Sequence, residues 1–559
     1  MNKAPLSEYP RPQFQRDSYK SLNGLWDYKI TKNPEIPGDF DGKILVPFSP
    51  ESELSGINHI LQPDEFLYYR LAFSLDDFEI KDKVFLHFLA VDQIAEVFLN
   101  GVYLGKHVGG FLPFHFEIKN QLRKGENELI VKVQDLTDTS YHSRGKQKLK
   151  HGGIWYTPQS GIYFPVFLES VSDDYIESIK LTPDIDNSRI KIKVSSSSRN
   201  AIIHIFDKDI QINTNIDTDI EIPKEKIKLW SPENPYLYHF TIKTQGDEVK
   251  SYFAMRKFSL IKDDNGITRL ALNNKPYFMK GVLDQGYYAD GLLTPNSYDA
   301  YIKDIELVRS LGFNMIRKHI KIEIPRWYYE CDKRGIIVWQ DFVNGGEQYK
   351  LPTIVFPLIF GRHHNDHNYK KFARLNEEGR REAINEFEET IKYLYNAPCI
   401  GLWTIFNEGW GQFDSAAIYS QISQIDNTRL YDHASGWHDQ GVSSVKSYHM
   451  YFKHFKIKKP DARAIILSEF GGFVLPVEGH KIDGKKVYRS FPSADEWLAK
   501  YKDTIEKDVI NNIPKGLSAI VYTQLSDVEE ELNGFITYDR EVVKVDTSII
   551  KEINSKIDL

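Results

Sequence analysis

Two glutamates end apolar runs in positions that suit chemistry. Glu408 follows Trp403-Thr404-Ile405-Phe406-Asn407, and Glu469 follows Ile465-Ile466-Leu467-Ser468. A carboxylate at the end of a buried strand is costly to desolvate unless a partner or a reaction uses it. Gly409-Trp410 flank the first and Phe470-Gly471-Gly472 the second. Two carboxyls about 5–5.5 Å apart are the working pair of a retaining glycosidase. One, kept protonated, gives its proton to the leaving oxygen, and the other attacks the anomeric carbon. That chemistry requires both glutamates at one opening.

From about residue 263 the pattern supplies such an opening. Short apolar runs at 278–283, 312–318, 335–341, 400–407, 429–434, 445–451, 463–469 and 517–524 alternate with helical stretches. The helices fall near 297–310, 322–334, 374–395, 414–425, 494–510 and 545–556. Eight strands over roughly 300 residues predict a (β/α)8 TIM barrel. A doubly wound sheet would show a Gly-rich phosphate turn after its first strand, and none follows here. Glu408 then stands after strand four and Glu469 at the end of strand seven, facing each other across the mouth. Trp437, after strand five, could stack on a sugar face, and Asp341 and Gln524, ending strands three and eight, are candidate hydroxyl ligands. The stretch Val343–Phe372 after strand three is too long for an ordinary connection and would hang over the mouth.

Before the barrel the period changes to that of strands. Ala95-Glu96-Val97-Phe98-Leu99 and Val102-Tyr103-Leu104 flank Asn100-Gly101, a strong hairpin signal. Arg189-Ile190-Lys191-Ile192-Lys193-Val194 alternates strictly. The expected division is a jelly-roll-like β-sandwich over 1–172, an immunoglobulin-like sandwich over 173–262, and the barrel over 263–559. A chain of 559 residues exceeds what a single core supports.

A net charge of −7 without a Lys/Arg block argues against a nucleic-acid partner. Cys331 and Cys399 read as buried thiols. No apolar run is long enough to span a bilayer. The start, MNKAPLSEYPRPQ, lacks the apolar centre of a signal peptide, which leaves a cytoplasmic protein or one with a trimmed leader. His363, His364 and His367 lack the helical spacing that would aim metal ligands together, so no metal is expected there. Asp527, Glu529, Glu530 and Glu531 form an acidic run of the kind that is usually a solvated face, though at the border of the mouth it could meet a cationic or polyhydroxyl substrate.

The chain resembles glycoside hydrolase family 2, the group of β-galactosidases, β-glucuronidases and β-mannosidases. The resemblance is carried by Ser21-Leu22-Asn23-Gly24-Leu25-Trp26, Gly109-Gly110-Phe111-Leu112-Pro113-Phe114, Gly153-Ile154-Trp155, Ser160-Gly161-Ile162-Tyr163 and Leu229-Trp230-Ser231-Pro232. Its most specific parts are Asn407-Glu408 and Ser468-Glu469-Phe470-Gly471-Gly472. The resemblance implies Glu408 as acid/base and Glu469 as nucleophile. It also implies Asn407 as a ligand of the sugar 2-hydroxyl, Arg317 as support for the nucleophile, and Tyr451 with His449 as the aromatic position beside it. Asp284-Gln285-Gly286-Tyr287 stands where familiar β-galactosidases carry a histidine-containing segment. The Asn-x-Lys signature of β-glucuronidases occurs only as Asn273-Asn274-Lys275, ahead of the first barrel strand. The ligands of magnesium-dependent members do not map, which implies no cofactor.

The function expected is a retaining exo-glycosidase acting on an oligo- or polysaccharide, β-galactosidase-like. Another sugar on the same scaffold, such as an arabinofuranoside or a uronic acid, stays open, as does a non-catalytic carbohydrate-binding protein. The sandwiches are expected to support the barrel and are candidates for a homo-oligomer interface.

Overall fold

Strict alternation builds the first sandwich. Ile94–Leu99 turns through Asn100 (φ 54°) and Gly101 (φ 82°) into Val102–Val108, the geometry of a type I′ hairpin. This hairpin edges a six-stranded sheet in the order 42–46, 24–31, 66–73, 127–134, 94–99, 102–108. Facing it is a four-stranded sheet of Tyr19–Ser21, Val166–Val171, Lys83–Phe88 and Phe114–Glu117. Trp26, Tyr69, Leu86, Phe88, Val97, Val131 and Leu168 fill the space between them. Each such side chain contributes about 1.5–3 kcal/mol by leaving water. The computed structural model describes residues 4–360, 363–482, 484 and 488–559.

The second sandwich pairs three strands (Ile176–Asp184, Arg189–Ser196, Asp217–Glu221) with four (Lys208–Asn213, Asn200–Ile205, Tyr238–Lys243, Glu248–Phe253). Ile190, Ile192 and Val194, the apolar half of the alternation, are fully buried.

A three-stranded sheet beginning at Phe258 then leads into the barrel. Its turn uses Asn273 and Asn274, both left-handed, so Asn273-Asn274-Lys275 serves a hairpin. Arg269 donates to the carbonyls of Leu517 and Ile513 at 2.8 and 2.9 Å, seating this sheet under the start of the eighth strand.

The barrel strands are β1 Met279–Asp284, β2 Met315–Lys318, β3 Ile337–Asp341, β4 Ile400–Thr404, β5 Leu430–Asp432, β6 Val445–Met450, β7 Ala464–Gly471 and β8 Leu517–Thr523. All pairings are parallel, in the order β5-β4-β3-β2-β1-β8-β7-β6. Closure between β5 and β6 is made by serines: Ser444 N donates to Tyr431 O at 3.1 Å, and Ser447 Oγ donates to Asp432 Oδ1 at 3.1 Å. Every strand expected from the sequence is present, with ends shifted by up to a few residues. Cys331 and Cys399 are buried thiols, and burial pushes both up.

The helices differ from the sequence reading in two places. A helix over Leu351–Phe360 lies inside the long connection after β3. Its two prolines and β-branched residues obscure it in the sequence. The helix at Ala494–Thr504 does not run on unbroken but widens into a π turn at Ile505–Val509 and tightens at Ile510–Lys515.

Candidate active site

β4 and β7 present their glutamates by different local devices. After β4 the chain turns sharply: Glu408 itself is left-handed (φ 50°), followed by Gly409 (φ 73°) and Gly411 (φ 61°). A Cβ at Gly411 would lie 2.0 Å from the carbonyl oxygen of Gly345, so glycine is obligatory there. A left-handed non-glycine residue costs on the order of 1–3 kcal/mol, a strain that surrounding structure must offset. Glu408 N donates to Ser435 O at 3.0 Å and Trp437 Nε1 donates to Glu408 O at 2.9 Å, so backbone bonds on both sides hold the turn. In β7 the register slips between Leu467 and Phe470 against β8 and between Tyr448 and His449 against β6. Such a bulge re-aims a side chain, and the slip falls on Ser468-Glu469.

One carboxylate oxygen of Glu408, one of Glu469 and one ring nitrogen of His449 all lie within 4.8 Å of one another. Glu469 is 4% exposed. Its Oε1 accepts from Arg317 Nη1 at 3.1 Å, and its Oε2 accepts from the Tyr451 hydroxyl. Burial pushes that phenol up. Arg317 also grips both oxygens of Asp341 at 2.9 and 3.0 Å, Asn407 Oδ1 at 2.8 Å and the Ser468 carbonyl at 3.0 Å. One guanidinium thus fixes the ends of β3, β4 and β7 together.

Glu408 has a different setting. Burial pushes its carboxyl up to about 7. Its Oε1 lies 2.8 Å from His449 Nδ1, and burial drives that imidazole down to about 3, so the ring is neutral. Asn407 Nδ2 is buried with no hydrogen-bond partner among the described residues, a donor left open for a ligand.

The structure brings Glu408, Glu469, Asn407, Arg317, His449 and Tyr451 together. Trp437 packs edge-on against His449, ring centroids 5.5 Å apart. Asp341 and Gln524 are committed to protein partners instead of standing free for hydroxyls. Asp341 binds Arg317 and, at 2.8 Å, His319 Nδ1, whereas Gln524 bonds Gln285 at 2.7 Å and Asn533 at 2.8 Å. Burial opposes the Asp341 charge, yet Arg317 and His319 hold the carboxyl below its ordinary range.

The acidic run after β8 is likewise not a solvated face. Asp527 pairs with Lys544 at 2.6 Å, and Glu529 accepts from Tyr287 Oη at 2.8 Å and Thr157 N at 3.0 Å. Glu531 accepts from Gln285 and Lys146, each at 2.9 Å. Of the three histidines, His363 accepts from His438 N at 2.9 Å and His367 bonds Asp414. His364 stacks on His438, 5.5 Å between centroids. His363 and His364 tie the long connection to the turn after β5, and His367 ties it to the loop after β4.

Lys146 and Trp155 were not expected at the mouth. Both ride on a long connection of the first sandwich: Arg144 N donates to Asn344 O at 3.0 Å, and Trp155 packs against Trp410 and Tyr349 at 5.2 and 5.9 Å. A strand-poor stretch of about 25 residues inside a strand-rich domain was the available signal.

A carboxyl pair of unequal character at the C-terminal mouth of a TIM barrel, behind two β-sandwiches, defines a glycosidase-type scaffold. Residues 264–556, more than half of the chain, match the TIM barrel domain of glycosyl hydrolases family 2. Residues 56–170 match that family's sugar binding domain, and 174–256 match a further glycosyl hydrolases family 2 model. The chain belongs to glycoside hydrolase family 2. It is 23% identical over 473 residues to a β-galactosidase of Thermoanaerobacter pseudethanolicus, covering 79% of this chain and 59% of that protein. It is 27% identical over 375 residues to a β-galactosidase of Thermoanaerobacterium thermosulfurigenes, covering 62% and 47%. The chain therefore spans about half the length of the curated relatives it matches. Its fold is that of a β-glucuronidase structure from Dictyoglomus thermophilum, with TM-score 0.75, 18% identity and coverage of 98% and 99%.

Proposed function

We propose that the chain is a retaining exo-glycosidase with Glu408 as acid/base and Glu469 as nucleophile, removing a terminal neutral sugar, galactose first among candidates, from an oligo- or polysaccharide. The observation that carries this reading is the close carboxyl pair with opposed surroundings. Glu408 faces a neutral imidazole and is pushed up to about 7 by burial, so it carries a proton to give near neutral pH. Glu469 faces a guanidinium and a phenol, a set suited to an anion that attacks carbon.

In the first step Glu469 bonds to the anomeric carbon as the glycosidic C–O bond breaks and the Glu408 proton passes to the leaving oxygen. Water then gives its proton back to Glu408 and displaces Glu469. Asn407 Nδ2 is placed to donate to a sugar hydroxyl, a contact that tightens as charge develops on the ring. Arg317 and Asp341 position the nucleophile. Among the described residues, the Arg317 and Lys146 cations that act on this centre are committed to carboxylates, which favours a neutral sugar over a uronic acid. We propose the domain limits 1–172, 173–262 and 263–559 for this enzyme.

The test is a panel of aryl glycosides (galactose, glucose, mannose, glucuronic acid and arabinose, both anomers) with wild type, Glu469→Gln and Glu408→Gln. Glu469→Gln is expected to lose roughly three to five orders of magnitude on every substrate turned over. Full activity in both variants would sink the assignment.

A further inference from the structure

His449 lies between the two glutamates, and its hydrogen-bond chain fixes which nitrogen holds the ring proton. Ser468 Oγ donates to the carbonyl of Tyr448 at 3.3 Å, an atom that can only accept. Ser435 Oγ donates in turn to Ser468 Oγ at 3.0 Å. Its single proton is then spent, so at 3.1 Å from His449 Nε2 the Ser435 oxygen must accept. Glu469 Oε1, 3.6 Å from the same nitrogen, independently favours a hydrogen on Nε2. A neutral imidazole with Nε2–H has a bare lone pair on Nδ1. That lone pair is 2.8 Å from Glu408 Oε1, and two acceptors at this distance need a proton between them.

We infer that His449 is a positioning residue locked by Ser435 and Ser468 in its Nε2–H tautomer, so that Nδ1 accepts the Glu408 proton and holds the acid/base in its acid form. This rests on Glu408 being the acid/base. After the proton leaves for the glycosidic oxygen, the new carboxylate faces a lone pair. The repulsion makes it a stronger base for the proton of the water that releases the sugar. Among the described residues, the other charged or titratable groups around the pair are Glu469, Arg317, His319, Asp341, Lys146, Glu531, Tyr451 and Tyr488, which arrive from β7, β2 and the residue after it, β3, the first sandwich, the loop after β8, the end of β6 and the segment after β7. None is altered in the variants below.

The opposite tautomer would predict the opposite sign. An Nδ1–H donating to a carboxylate stabilises the ionised form, so its loss would raise the pH at which Glu408 deprotonates. With Nε2–H, freeing the ring to flip has the reverse effect. In Ser435→Ala the Nε2–H loses its acceptor, Nδ1–H becomes accessible, and Glu408 is more easily ionised. The alkaline limb of kcat/KM, which reports the free enzyme, is expected to move down by about half to one pH unit, the size of one buried hydrogen bond. His449→Ala should move it the same way. A limb that stays in place or moves up in both variants overturns the inference.

Nitrogen NMR of the His449 ring in the wild-type protein supplies a readout independent of turnover. A protonated Nε2 and unprotonated Nδ1 are expected, and the reverse pattern overturns the inference even if Glu408 proves to be the acid/base. Activity of Glu408→Gln unchanged on unactivated substrates would instead refute the acid/base reading while leaving the ring assignment measurable.

Discussion

The ends of β4 and β7 carry the same residue type and surround it in opposite ways. At β7, Glu469 sits on a bulge and meets Arg317 and Tyr451, two donors that compensate a negative charge. At β4, Glu408 sits on a left-handed turn and meets His449, a ring that burial keeps neutral. The difference lies in the neighbours, and those neighbours come from other strands. Arg317 belongs to β2, Tyr451 follows β6 and His449 lies in it. A closed barrel brings each within reach of a glutamate distant in sequence, and so two identical side chains receive two roles.

The largest effect is expected from erasing the β7 surroundings. Arg317→Met leaves Asp341 and Glu469 without their shared cation, and kcat should fall by roughly a thousandfold or more on all leaving groups. Losing one partner of a buried ion pair also costs about 3–5 kcal/mol of stability, so the thermal transition is measured alongside. Arg317→Lys keeps the charge but not the two-pronged grip on Asp341, and should fall between the two. A kcat within about tenfold of wild type in a folded Arg317→Met would remove the distinction drawn for β7.

The next effect belongs to β4 and depends on the leaving group. Glu408→Gln should cost roughly a thousandfold in kcat/KM on alkyl glycosides, and far less on a dinitrophenyl glycoside whose departure needs no proton. A loss of equal size on both substrates would place Glu408 among groups that bind the sugar.

The pH profile sharpens the same contrast. Glu408 acts as an acid, so its active form is the protonated one. With the carboxyl pushed up to about 7 by burial, kcat/KM should hold below that value and fall as pH rises through it. On an activated substrate, Glu408→Gln should lack this alkaline limb. If the limb survives the substitution, another group titrates there.

Much of this contrast is legible in the sequence. Glu408 and Glu469 could be found because a charged residue between an apolar strand and glycines is rare without a use. Arg317 is legible only through the family resemblance, since nothing in its own strand marks the carboxylates it will grip. The bulge at Ser468-Glu469 was not legible, since a register slip is a property of paired strands and leaves no mark in one strand's sequence. The acidic run 527–531 was misread for a related reason. Its charges are buried by Lys544, Lys146, Tyr287 and the backbone of the first sandwich, partners as distant as Lys146 is from Glu531. Periodicity reports which face is apolar, and cannot report which cation will arrive from another domain. The helix at Leu351–Phe360 was hidden by Pro352 and Pro357, since Pro352 suits a first turn but Pro357 breaks the interior rule.

The smallest effect tests how far the comparison extends beyond the barrel. Lys146 is a buried cation brought in by the first sandwich, and Glu531 takes it at 2.9 Å while also holding Gln285. Its charge is one of those acting on Glu408, in the direction that favours the carboxylate. If the sandwich only supports the barrel, Lys146→Met with Glu531→Gln, which removes both charges together, should leave KM and kcat unchanged. If the pair lines the sugar site, KM should rise about tenfold, the cost of one or two hydroxyl contacts, with kcat less affected. The same double variant should nudge the alkaline limb slightly upward, because the lost Lys146 cation eased Glu408 ionisation more than the lost Glu531 anion opposed it. A shift in that limb without a change in KM would make the first sandwich a source of field at the acid/base, and no shift in either would confine the active site to the barrel.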